Sequence, residues 1–406
     1  MLSLNTNRLE HYARNWIAFG FFVYLGAFFL LGRGATLIPF LVFIVLPTLF
    51  LCAVSRFKCI HDKRAVFVCA AFLGYLSLSA LWGEGSFFKA LENLLYILCL
   101  MLSIENVSQR FTEKFVIKFI IAIGLIAAII YIFAIFVSSH NLMAIMSGRF
   151  SIYDIAGWGR KNQIDTGIII GLPIIAGWYF FPRKKWHVQL LLIVVIMLCT
   201  TILVLVTKSR SPMVAAAITL LCIILYRREK SDLILLFLFF MLVGVVFLSA
   251  NKFGNIIPNR FGENSYRLIL WRGGLELFSD HWLFGQGYGT PAKIALDSVD
   301  NLGSHVHNMF IEILRIGGIV AGMLFVCILN LMFRFSYIHF ENRFFIFWLI
   351  FGLLNMIPNG RIPLVHPGGV EVFAFWLPFF LFYYMRKRSD PLTTNISVTH
   401  EKVGQH

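Results

Sequence analysis

The chain has 406 residues, 59% of them hydrophobic and 14% charged, with a mean hydropathy of +0.80 and a formal net charge of +15. A soluble protein cannot hide that much apolar surface, so lipid must be the solvent for most of the chain. The basic residues fall in short loops between apolar runs. There they report topology and affinity for anionic lipid, and nucleic acid is a poor alternative partner.

A helix crosses about 30 Å of hydrocarbon with roughly 20 mostly apolar residues. By that rule twelve segments qualify: 16–31, 35–54, 65–82, 89–104, 115–137, 165–181, 188–207, 210–226, 231–249, 306–333, 342–357 and 370–385. The first is not followed by a small-residue cleavage site and further spans come after it, so it reads as a retained helix rather than a signal peptide. The expected fold class is all-α: a polytopic membrane protein of about 12 transmembrane helices. It forms one membrane domain over 1–406, with a cytoplasmic tail at 386–406. With the N-terminus inside, the inner loops and termini hold 21 of the 35 Lys and Arg residues and the outer side holds 14. That bias satisfies the positive-inside rule with both termini cytoplasmic.

Six cysteines (Cys52, Cys69, Cys99, Cys199, Cys222 and Cys327) lie in these segments, and Cys59 lies in an inner loop. They form neither a disulfide framework nor a CxxC pattern and read as packing residues. The internal repeat that marks many transporters is missing.

Two outer connections are longer than a tight turn, 138–164 and 250–305. The second, 250–305, is expected to be an outer subdomain containing one or two short helices that lie along the membrane surface. In "YRLILWRGGLELF" (266–278), Leu268, Trp271, Leu275 and Phe278 recur at helical spacing, and Arg272 can pair with Glu276 at i,i+4. "GQGYGT" (285–290) then supplies three glycines, which permit positive φ and close backbone approach.

Several polar groups could carry chemistry. "TKSRSP" (207–212) is a hairpin with Lys208 and Arg210 at an outer boundary. These are either cations snorkelling from a helix end or a clamp, since a guanidinium fits phosphate oxygens as a planar fork. Arg267 is either a solvated face residue or the clamp's second arm. Arg149, Arg160 and Lys161 in the other outer loop are weaker candidates of the same kind. "GSHVHNMF" (303–310) presents His305 and His307 just before an apolar run. An H-x-H pair can hold a metal, but only Asp297 and Asp300 stand nearby in sequence, and both serve equally for loop capping. The pair can also be a simple helix start, with Ser304 or Asn308 as N-cap. A third reading is catalytic: beside a helix N-terminus the dipole disfavours imidazolium, which keeps His307 neutral and able to accept a proton. Activity should then fall below roughly pH 6, near the ordinary histidine value of about 6.5. Glu312 and Arg315, at i,i+3 inside a span, read as a mutual pair.

Taken in order, the hairpin with "SR", the outer loop with "R-x3-W" and "GQGYG", and "HVHN" followed by "E-x2-R-x-GG" resemble the bacterial O-antigen ligase family. That family shares its fold with O-antigen polymerases and some protein O-oligosaccharyltransferases. The resemblance implies a metal-independent membrane glycosyltransferase of the GT-C type, with no cofactor. It would move a polysaccharide from undecaprenyl pyrophosphate to a sugar hydroxyl of lipid A–core, at the periplasmic face of the bacterial inner membrane. By position it carries catalytic roles to Arg210, Arg267 and His307. Arg272 has no clear counterpart, and His305 falls where family members vary more. Together with Lys208, Arg160 and Asn308, these two are expected on the substrate side. The residue chemistry agrees. The donor bond is already activated, two arginines can neutralise a leaving diphosphate without a metal, and no carboxylate stands out as a covalent nucleophile, which points to inversion. O-antigen polymerase, with the same donor, is the alternative; a polysaccharide transporter would need mid-membrane polar residues and repeat symmetry.

Overall fold

The computed structural model describes residues 2–31, 34–56, 60–138, 163–181, 185–207, 209–229, 236–237, 241, 244, 266–296, 299–303, 305–333 and 343–388. The protein is a helical, polytopic membrane protein. Its helices are α1 (Leu2–Leu30), α2 (Leu37–Val54), α3 (Lys63–Leu78), α4 (Phe87–Arg110), α5 (Glu113–Ser138) and α6 (Gln163–Phe180). They continue as α7 (Trp186–Thr201), α8 (Arg210–Arg227), α9 (Tyr266–Asp280), α10 (Met309–Phe333), α11 (Phe344–Asn359) and α12 (Val372–Met385). Eight among the described residues are long and apolar enough to cross a membrane; α7, α11 and α12 are apolar but shorter. Eleven of the twelve segments expected from sequence are therefore helical. The twelfth, 231–249, lies almost wholly outside the described residues, as do Cys59, most of the 138–164 loop, residues 250–265 and the tail from 389.

One core runs through the bundle, dominated by Phe, Ile and Leu. Trp178, Trp348 and Trp376 are its largest fully buried side chains. Large apolar side chains are also exposed on the outside, among them Phe67 and Phe133. In lipid such exposure carries no hydration penalty.

Three features position the site. First, the span expected at 306–333 is not one continuous helix. It begins at Met309 and breaks at Gly318, whose φ of 64° and ψ of −165° are non-helical. The segment between α9 and the hairpin docks into this break. Gln286 N donates to Arg315 O (2.8 Å), Gly287 N to Ile316 O (2.9 Å) and Ile319 N to Trp282 O (2.8 Å). The backbone groups freed by the kink are thus satisfied by protein, the condition for interrupting a helix near the hydrocarbon. The expected positive-φ glycines are present, with φ of 71° at Gly285 and 89° at Gly287. A Cβ at Gly287 would come within 2.6 Å of Ser79 O, so only glycine fits that approach.

Second, the outer segment holds one described helix, α9, together with a two-stranded antiparallel hairpin, Ile294–Leu296 with Val299–Gly303. The hairpin departs from the all-helical expectation. Short β pairing satisfies backbone groups that would otherwise lack partners. α9 meets the protein through Leu270, Gly273, Gly274 and Leu277, packed on Ala292, Ile294, Val306 and Ile311. Leu268 and Leu275 of the sequence-derived stripe point outward, 69% and 47% exposed. Periodicity finds an apolar face, but beside a bilayer that face can turn to lipid.

Third, Glu312 and Arg315 do pair, as expected, through two hydrogen bonds of 2.7 and 3.2 Å, and both side chains are buried. Arg315 also donates to Gln286 Oε1 (2.8 Å), which locks the inserted strap to α10.

Candidate active site

The site lies where the starts of α8 and α9, the turn before α10 and the end of α11 meet. α8 begins at Arg210 because Ser209 is extended and Pro212 occupies the first turn, where its missing N–H costs nothing. Ser209 N donates to Thr207 Oγ1 (3.3 Å), and the Thr207 hydroxyl donates back to Leu203 O (2.7 Å). This closes the hairpin tightly and leaves the Arg210 side chain exposed at its tip.

Arg267, on the first turn of α9, is half-buried and donates from Nη2 to Asn359 Oδ1 (2.8 Å). Asn359 in turn donates to Ser211 Oγ (2.6 Å), and Ser211 donates to Asn355 Oδ1 (3.3 Å). This chain of hydrogen bonds ties α9, the 207–212 hairpin and α11 together. Burial lowers the pKa of Arg267, and the nearby positive charge of Arg210 adds to that effect. Two neighbouring guanidinium groups of this kind are chemically suited to an anion.

His305 and His307 face one another, ring centroids 3.9 Å apart. His307 has φ of 54°, a left-handed conformation uncommon for a side-chain-bearing residue. This strained turn folds the His307 ring back over His305, and strain of this kind gathers at functional sites. Asn308 is the N-cap of α10: its Oδ1 accepts from Phe310 N (3.0 Å) and Ile311 N (3.2 Å). Of the two N-caps considered, the structure selects Asn308; Ser304 lies outside the described residues.

Both rings are pushed down to about 4. For His307 burial is the main cause, followed by His305, Arg361 and Arg267, with Glu312 opposing. For His305 it is burial, then Arg361 and Arg315. The ring is neutral at pH 7, as the sequence suggested, but burial and arginines take it well below the value near 6 expected there. A neutral imidazole can orient a hydroxyl and accept its proton.

The other candidates separate. Arg272 is exposed and paired with Glu276 at 3.0 Å, about 140° around α9 from Arg267 by helical geometry. Lys208, Arg149, Arg160, Lys161 and Asp297 lie outside the described residues. Among the described residues, no three His, Cys, Asp or Glu side chains converge as metal ligands would. The sequence reading missed Asn359 and Arg361. Asn359 ends α11 and Arg361 lies just beyond it, in "NGRIPLVHPGG" (359–369), a turn whose polar residues were legible but whose partner, some ninety residues upstream, was not. Trp271, one turn beyond Arg267, buries its indole Nε1 without a hydrogen-bond partner among the described residues.

Comparison with known proteins falls on this region. Residues 195–326 match the family described as O-antigen ligase. A curated O-antigen ligase from Pseudomonas aeruginosa is 32% identical over 122 residues, covering 29% of this chain and 30% of the relative's own length. The matched stretch thus spans less than a third of either protein. Residues 195–326, the stretch that holds Arg210, Arg267 and His307, are thus similar to the O-antigen ligase family.

Proposed function

We propose that the protein is a glycosyltransferase that moves an O-antigen polysaccharide from undecaprenyl pyrophosphate to a sugar hydroxyl of lipid A–core. The reading places the active site at the periplasmic face of a bacterial inner membrane, with both termini cytoplasmic and 250–305 as the periplasmic subdomain. The observation that carries it is the convergence of Arg210 and Arg267 beside a neutral His307. A diphosphate diester binds between the two guanidinium groups, Arg267 being aimed by Asn359. The acceptor oxygen attacks the anomeric carbon as the bond to the diphosphate oxygen breaks. The electron pair leaves with the diphosphate, whose growing charge the arginines stabilise, and the acceptor proton passes to His307. One displacement inverts the anomeric centre, and no residue needs a metal for its part.

The experiment is a deletion strain examined for its lipopolysaccharide. Loss of all polymer-capped molecules, with lipid-linked polymer accumulating, is the expected result. Retention of molecules bearing a single repeat unit would instead mark a polymerase.

A further inference from the structure

Among the charged residues around the site, three cations have a carboxylate partner. Arg315 is held by Glu312, Arg272 by Glu276, and Lys293 by Glu84 (3.2 Å). Arg361 has no such partner among the described residues. It is also the single exposed residue in 360–365, flanked by buried Gly360, Ile362, Pro363, Leu364 and Val365. The backbone that carries it is fixed on both sides. Gly360 N donates to Met356 O (2.9 Å), and a Cβ on Gly360 would come within 2.8 Å of Met309 Cβ, the residue two beyond His307. Two residues before Arg361, Asn359 holds Arg267. The guanidinium is therefore delivered to the histidine pair from the α11 side, and its charge acts on both rings.

Charge balance decides what this group can bind. A sugar–diphosphate–lipid diester carries two negative charges near neutral pH, which Arg210 and Arg267 already match. A further guanidinium beside the same histidines, Arg361, is in excess of what the donor requires. The molecule whose hydroxyl must reach His307 is the acceptor.

We propose that Arg361 binds an anionic substituent, phosphate or carboxylate, on the acceptor glycolipid and so fixes which hydroxyl meets His307. The inference rests on the ligase reading above, and it makes Arg361 a specificity residue.

Two measurements on full-length protein in nanodiscs test it. In the first, binding of lipid A–core is measured without donor for wild type, Arg361→Gln and Arg361→Lys. In the second, transfer kinetics are taken with intact acceptor, with acceptor stripped of phosphate by hydrofluoric acid, and with carboxyl-reduced acceptor. A charge-assisted contact of this kind is worth about 10–100-fold. Arg361→Gln should weaken acceptor binding and raise the acceptor KM by that factor while leaving donor KM unchanged. Arg361→Lys should recover part of the loss. The penalty should vanish with whichever stripped acceptor lacks the recognised anion, which names it. An equal rise in donor KM, an equal penalty on every acceptor, or unchanged acceptor binding would each overturn the proposal. If wild type transfers nothing to lipid A–core, the ligase reading fails by itself. Arg361-dependent binding of the anionic glycolipid would still stand as a separate result, and its loss would end both.

Discussion

Arg267 and Arg361 act on a pair of neutral imidazoles and Arg210 neighbours Arg267, and the chemistry follows from how each charge is held. Arg267 is fixed by Asn359, whereas Arg210 projects from a tight hairpin. Lysine at either position keeps the charge but loses the planar fork. Arg210→Lys and Arg267→Lys should therefore each lower turnover by about 10²–10³-fold, the cost typical of losing a donor aimed at transition-state charge. Steady-state transfer kinetics at matched protein levels check this, and full activity of Arg210→Ala would remove the residue from the site. The histidines give a pH prediction. Their pKa near about 4 means the competent neutral ring persists as pH falls from 7 and is lost only as pH passes through that value. The acid limb of kcat/KM should thus lie near 4, where an unperturbed histidine would place it near 6.5. Bound diphosphate adds negative charge beside the arginines, so the limb in kcat should lie higher than the limb in kcat/KM. A kcat/KM limb at the ordinary value would show that His307 is solvated in the working enzyme.

At the scale of elements, the break in α10 and the strap inserted into it hold the turn that carries the histidines. Gly318→Ala forces a side chain into a positive-φ position with Gly285 N 2.7 Å from the new Cβ, and should destabilise by about 1–3 kcal/mol. Thermal unfolding in detergent reads this, and a wild-type midpoint would mean the kink is dispensable. Asn308→Ala removes the cap of α10 and should cost about 1 kcal/mol, with Asn308→Asp nearly neutral. What sequence makes legible here is whatever is local. The Glu312–Arg315 pair, the Arg272–Glu276 pair, the positive-φ glycines and the helix start after "HVH" all follow from residues within four positions of one another. The kink was not legible, because "RIGGIV" (315–320) is compatible with a continuous apolar helix until the strap competes for its backbone. The partners of Asn359 and Arg361 were not legible either, since only the packing of α11 against α8 and α10 brings Asn359 to Arg267 and Arg361 to the histidines. The outward stripe of α9 was seen as apolar, but periodicity carries no information on whether lipid or protein receives it.

For the whole molecule, the proposed orientation rests on the 21-to-14 distribution of basic residues. It predicts that cysteine introduced at Asp297, in a background lacking the seven native cysteines, reacts with an impermeant maleimide in intact spheroplasts. Labelling only after lysis would reverse the topology and move the site to the wrong side of the membrane for a lipid A–core acceptor. The central claim is that His307 receives the acceptor's proton while Arg210 and Arg267 hold the diphosphate. It is tested most directly with purified protein, lipid-diphosphate-linked polymer and lipid A–core in excess EDTA, with donor binding measured alongside transfer. Wild type should transfer, and His307→Ala should lose about 10²–10⁴-fold in turnover while binding donor normally. His307→Ala that turns over like wild type, or that loses donor binding as severely as Arg210→Ala does, would contradict the account.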